Sequence, residues 1–256
     1  MSNRIDQLFA GKKTRILNIY TTAGFPELND TLPVMKSLQE HGVDLIELGM
    51  PFSDPLADGP VIQESSTRAI KNGMSLRVLF EQLKTCREQI HVPILLMGYL
   101  NPVLLYGIEN FCKKCAEVGV DGVILPDLPM DEYASDYKAI FEQYGIHVIF
   151  LVTPETSEAR IRKIDSLSKG FVYAVSSSST TGKDKDMSHQ QAYFEKLEAL
   201  QLRNPVLIGF GIKDKATFDA ACAHANGAII GTAFVRAIEN STNLDATIKE
   251  FIAGVK

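Results

Sequence analysis

An apolar run of strand length returns roughly every thirty residues along this chain, and the stretches between runs carry their apolar residues at helical spacing. Eight such runs stand out: Ile16–Thr22, Val43–Gly49, Pro93–Gly98, Val120–Pro126, Ile146–Val152, Gly170–Ser176, Pro205–Gly211 and Gly227–Gly231. Most are nearly continuous in Ile, Leu, Val and Phe, as parallel strands covered on both faces must be. The spacing predicts helices over Thr31–Glu40, Leu76–Glu88, Glu109–Glu117, Glu132–Tyr144, Glu158–Leu167, Gln190–Leu200, Lys215–His224 and Leu244–Ala253, with an extra amphipathic helix at Arg4–Ala10 ahead of the first strand.

Alternating β and α segments with short turns require a parallel sheet, and eight of each close most economically as a (β/α)8 TIM barrel. The length of 256 residues fits one such domain spanning 1–256. A doubly wound open sheet would normally show a G-x-G-x-x-G turn after its first strand, where this chain has Ala23-Gly24-Phe25-Pro26. Gly and Pro gather after the strand ends, in Gly49-Met50-Pro51, Pro126-Asp127-Leu128-Pro129 and Gly209-Phe210-Gly211. In a barrel these ends share one rim, the rim on which barrel enzymes carry their active sites.

Composition narrows the function. A net charge of −5, with Lys and Arg scattered among acids, offers no basic face for nucleic acid. The amino-terminal MSNRIDQLFAGKKTR has no apolar core of signal-peptide length, and no later run could span a bilayer, so a cytoplasmic protein without a membrane partner is expected. Cys112 and Cys115 form a C-x-x-C, but no second pair or His-x-His cluster supplies the further ligands that zinc needs. They are expected on a helix with no chemistry, and no metal site is expected. The histidines at 41, 91, 147, 189 and 224 adjoin no Ser or Cys in a hydrolase motif.

Glu47 stands alone in the run Val43–Gly49. Side chains alternate along a strand, so if Ile46 and Leu48 face the helices, Glu47 points into the barrel. A carboxyl among apolar walls holds its proton more tightly than a free Glu and is poised for general acid or base work. The residues alone leave open a structural Glu bonded to backbone or water. Asp54 and Asp58 follow in the loop Pro51–Pro60, where acids commonly cap helices or bind turn amides, yet here they lie close to a buried Glu on the ligand rim.

Gly211 ends the seventh run and Gly231 the eighth, and Thr232-Ala233-Phe234-Val235 then opens a short helix. Barrels often bind phosphate with these two loops and the amino end of such a helix, although either glycine alone equally suits a tight turn. The polar segment Ser176–Lys185 follows the sixth run and reads either as a linker or as a lid over substrate, with Tyr173 beneath it.

The stretch Leu45–Gln63, LIELGMPFSDPLADGPVIQ, resembles the tryptophan synthase alpha family, and the likeness in register, loops and length runs through nearly the whole chain. The resemblance implies retro-aldol cleavage of indole-3-glycerol phosphate to indole and D-glyceraldehyde 3-phosphate, a carbon–carbon lyase reaction in tryptophan biosynthesis. It makes Glu47 the acid–base residue and Asp58 the partner of the indole nitrogen. It also implies that Tyr20, Tyr99 and Phe210 form pocket wall, that Tyr173 lies near Glu47, and that Thr181 belongs to the lid. Gly182, Gly211, Gly231 and Thr232 become the phosphate-binding backbone and hydroxyl.

The same resemblance implies an α2β2 partnership with a beta subunit that alone binds pyridoxal phosphate, with no cofactor in this chain and with Asp54 and Thr181 coupling the two sites. One departure stands out: family members often read S-R-x-G-V-T-G at the lid, where this chain has Ser176-Ser177-Ser178-Ser179-Thr180-Thr181-Gly182. The rival readings are another phosphate-binding barrel, such as a sugar-phosphate isomerase or epimerase, and a mainly regulatory binding module for a beta subunit.

Overall fold

The computed structural model describes residues 3–176 and 187–256. Its sheet has nine parallel strands: β1 (Ile16–Thr22), β2 (Leu45–Gly49), β3 (Ile94–Met97), β4 (Gly122–Ile124), β5 (His147–Ile149), β6 (Leu151–Val152), β7 (Val172–Val175), β8 (Val206–Gly209) and β9 (Gly227–Ile230). Their order is β5-β4-β3-β2-β1-β9-β8-β7-β6. The two ends of that order are halves of the single run Ile146–Val152, interrupted at Phe150, so the sheet curls round on itself into a nearly closed barrel. The predicted (β/α)8 TIM barrel is therefore the fold observed.

Strand alternation divides the apolar residues into two cores. Leu17, Ile19, Ile46, Leu48, Leu96, Val148, Ala174, Ile208 and Ile230 pack outward against the helices. Ile16, Leu45, Leu95, Ile124, Ile149, Leu207 and Ile229 fill the lumen. The first helix, Arg4–Gly11, plugs the amino-terminal mouth: Ile5 and Phe9 join the lumen core, with the Phe9 and Phe171 rings 6.0 Å apart. Asn3 caps it by accepting from the Ile5 N–H at 2.9 Å, and its Nδ2 donates to Asp121 O at 2.7 Å. At that mouth buried Asp121 receives Arg87 at 2.6 Å and Arg4 at 2.9 Å, so one carboxylate ties the plug helix to the barrel wall.

The helices Thr31–Glu40 and Glu158–Leu167 occupy their predicted spans. The expected Leu76–Glu88 helix ends at Leu83, and a separate turn at Cys86–Glu88 follows. The expected Glu132–Tyr144 helix is loosened by a π turn over Tyr133–Tyr137. Two helices escaped the pattern. Pro60–Lys71 buries Ile62, Ser65, Ser66 and Ala69, a face too small and polar to show an apolar period. Leu100–Tyr106 is short, contains Pro102, and stops at Gly107 with φ of 86°. No helix among the described residues is long and apolar enough to cross a membrane.

Candidate active site

Glu47 sits in the middle of β2, paired in register with Tyr20 on β1 and Leu95 on β3. It shares its face with Leu45, a lumen residue, and is 1% exposed, so it points inward as alternation predicts. Asn18 Nδ2 donates to Glu47 Oε2 at 3.0 Å. Burial pushes the Glu47 carboxyl up to about 8, and the nearby charge of Asp58 adds to the rise, while the Asn18 bond opposes it. At neutral pH this carboxyl is mostly the acid.

Asp58 reaches the same region from the loop after β2. Its backbone N–H donates to Pro55 O at 3.0 Å, and Gln63 Nε2 donates to Asp58 O at 2.8 Å, closing a turn that aims the side chain across the rim. Tyr99, which follows β3, donates its hydroxyl to Asp58 Oδ2 at 3.0 Å and accepts the Ala57 N–H at 2.9 Å. Burial raises the Asp58 carboxyl above its usual range, and the Tyr99 bond holds it partly down. Asp58 lies at a cleft whose walls include Tyr20, Met50, Phe52, Met97, Tyr99 and Pro126. The Phe52 and Tyr99 rings are 5.1 Å apart. Such a slot suits a flat apolar ring with one polar edge.

Two tyrosines approach the lumen mouth in the same way. A Cβ on Gly49 would lie 2.1 Å from Tyr20 Oη, and one on Gly209 would lie 2.3 Å from Tyr173 Oη. Each ring therefore crosses a bare glycine on the neighbouring strand, and neither could sit there over an alanine. Burial is the main cause raising both phenols, and Glu47 and Asp58 contribute to each, so both carboxylates and both tyrosines form one electrostatic cluster.

The remaining predicted positions fall around this cluster. Phe210 and Gly211 both adopt left-handed backbone, φ of 67° and 76°, in the turn after β8, and the Phe210 ring stands edge-on to Tyr173 at 6.2 Å. Ser176, at the end of β7, donates to Phe210 O at 2.5 Å and pins that turn. Gly231 leads into the helix Thr232–Ile238, whose first N–H groups lack intrahelical partners, and Gly231 lies against Tyr20. Asp54 is exposed, accepts from Ser53 Oγ at 2.5 Å, and does not line the cleft. Thr181 and Gly182, with the rest of the expected lid at 177–185, lie outside the described residues.

Sequence reasoning missed Asn18, Phe52 and Met97, and it read Ser176 only as the start of the polar segment. Asn18 left a signal, an amide inside an apolar run with the same inward parity as Glu47; the others left none. Cys112 and Cys115 are buried on the helix Ile108–Val118, and burial drives the Cys112 thiol up to about 12. Among the described residues, no cluster of three or more His, Cys, Asp or Glu could hold a metal ion.

Comparison with known proteins adds to this geometry. The family model described as tryptophan synthase alpha chain matches residues 7–255. The tryptophan synthase alpha chain of Bacteroides thetaiotaomicron is 54% identical over 247 residues, 96% of each chain. Among solved structures, tryptophan synthase subunit alpha from Legionella pneumophila superposes with a TM-score of 0.90 at 30% identity, over 100% of this chain and 97% of that one. Tryptophan synthase from M. tuberculosis, in an aminoacrylate-bound form, gives 0.86 at 30% identity over 100% of both chains.

Proposed function

The chain belongs to the tryptophan synthase alpha chain family, and we propose that Glu47 and Asp58 are the groups with which it cleaves indole-3-glycerol phosphate to indole and D-glyceraldehyde 3-phosphate. The observation that supports this assignment is a buried carboxyl held mostly neutral, beside an aromatic slot that carries a second carboxylate. The isomerase, epimerase and purely regulatory readings are not favoured.

In the proposed cycle the indole ring lies in the slot with its N–H toward Asp58. Glu47 begins as the acid and gives its proton to ring carbon C3, and the positive charge that develops on the ring nitrogen is stabilised by Asp58. Glu47, now a carboxylate, takes the proton of the adjacent glycerol hydroxyl. The bond between C3 and the glycerol carbon then breaks, its electron pair returning to the ring, and the aldehyde forms. One proton leaves Glu47 and one returns, so the residue ends as it began.

The substrate phosphate is assigned to the backbone of Gly211 and Gly231, the amino end of the helix Thr232–Ile238 and the Thr232 hydroxyl, with Gly182 and Thr181 contributing from outside the described residues. Tyr20, Tyr99, Tyr173 and Phe210 act as pocket wall.

A beta subunit is the proposed partner, in an α2β2 assembly, and pyridoxal phosphate belongs to that subunit only. Leu56 is 87% exposed and Leu105 81%, on the neighbouring segments after β2 and β3, and large apolar side chains left in water there favour a docking surface. Asp54, beside Leu56, is assigned the coupling of that surface to the cleft, together with Thr181 from outside the described residues. We take 1–256 to be one domain working in the cytoplasm without nucleic acid or membrane. The test is Glu47→Gln, which should abolish indole release yet leave beta-subunit binding intact; loss of both together would refute the assignment of Glu47 to chemistry.

A further inference from the structure

Asn18 occupies an unlikely place for an amide. It lies in β1 between Leu17 and Ile19, is fully buried, and gives its Nδ2 to Glu47 while its Oδ1 has no hydrogen-bond partner among the described residues. A leucine or valine would pack there without leaving a buried carbonyl unmet, so the position costs stability unless the amide does something an aliphatic chain cannot. The register explains its reach: Asn18 pairs with Leu45, two residues before the Tyr20–Glu47 pair, and shares the lumen face with Glu47.

Resting on the reading of Glu47 as the acid–base group, we propose that Asn18 is a positioning residue for the reaction, holding the Glu47 carboxyl against the lumen wall in the orientation from which it exchanges protons with substrate. An amide suits a carboxyl that alternates between acid and carboxylate, because it carries both a donor and an acceptor, whereas an ammonium or guanidinium would lock the ionised form. The other groups facing Glu47 are Asp58 from the loop after β2, Tyr20 on β1 and Tyr173 on β7. None of the three donates a hydrogen bond to it, so Asn18 alone among the described residues fixes the carboxyl by direct contact.

A bond from an amide to a carboxylate is charge-assisted and stronger than one to the neutral acid, so its loss shifts the ionisation of Glu47 upward. The experiment follows the Glu47 carboxyl by carbon-13 NMR across pH in the full chain and in Asn18→Leu, with kcat and KM for indole release measured beside it. Asn18→Leu should raise the ionisation point by about one pH unit, a tenfold change in the constant. It should lower kcat at neutral pH about tenfold and leave KM within about twofold, as expected for a group that acts on the reacting carboxyl and not on substrate binding. Asn18→Ser, which leaves room for a water in place of the amide, should show a smaller shift in the same direction and serves if the leucine variant does not fold.

An unchanged Glu47 titration in the folded variant overturns the role given to Asn18, whatever the activity. A titration that moves as expected, when the unsubstituted chain releases no indole, supports that role and refutes the reaction assigned to the site.

Discussion

Replacing Glu47 by Gln should make the folded chain more stable as the pH rises. The carboxyl lies 1% exposed, and its pKa climbs from an ordinary 4.5 to about 8 on folding. The native state thus binds this proton more tightly than the unfolded state, so stability is highest below pH 4.5 and falls as pH rises through the window from 4.5 to about 8. At about 1.4 kcal/mol per pH unit, the full fall is about 5 kcal/mol, of which about 3 kcal/mol is already incurred at pH 7. Gln is nearly isosteric, can accept the Asn18 N–H, and has no charge to desolvate. Urea unfolding of both chains at several pH values isolates the term, because every other titrating group is common to the two. The gap should move in favour of Glu47→Gln by about 4 kcal/mol between pH 5 and pH 9. Parallel stability curves would show that Glu47 does not titrate upward on folding, and the acid role would lose its physical basis.

Three further perturbations follow from single contacts. Tyr99→Phe removes the hydroxyl that holds the Asp58 pKa down and that accepts the Ala57 N–H; Asp58 then stays protonated to higher pH, so the acid limb of the kcat/KM profile should move upward and KM should rise. Gly49→Ala sets a Cβ 2.1 Å from Tyr20 Oη and should cost about 1–3 kcal/mol in thermal or urea unfolding, whereas Gly11→Ala, with nothing within 4 Å, should be close to neutral. Asp121→Ala removes the carboxylate that pairs with the half-buried Arg87 and with Arg4 of the plug helix, which should cost about 3 kcal/mol in urea unfolding while kcat below the melting range stays unchanged, because the ion cluster lies at the mouth opposite the cleft.

The barrel was legible because its determinants are local. Buried parallel strands announce themselves as unbroken apolar runs, and each of the eight runs contains a strand or, at Ile146–Val152, two pieces of one. Glu47 could be aimed from parity alone, since one charged residue in a strand of known outward face has only one other direction to point. The helix Pro60–Lys71 could not be seen, because its buried face uses Ser65 and Ser66 instead of an apolar stripe, the Ser65 hydroxyl bonding the Thr22 hydroxyl and Ile62 O. The cleft was legible only in part. Asp58 gains its meaning from Tyr99, 41 residues away, and the Phe52 wall from a loop whose path no spacing rule dictates. Asn18 was within reach, since an amide two residues from Tyr20 with inward parity is as anomalous as Glu47 itself.

The most direct test of the account is indole release from indole-3-glycerol phosphate by the purified chain, alone and with a pyridoxal phosphate-loaded beta subunit from the same source. The chain alone should release indole, faster when the beta subunit is added, and Glu47→Gln should release none in either condition. No release in either condition, from a chain that is folded, would contradict it.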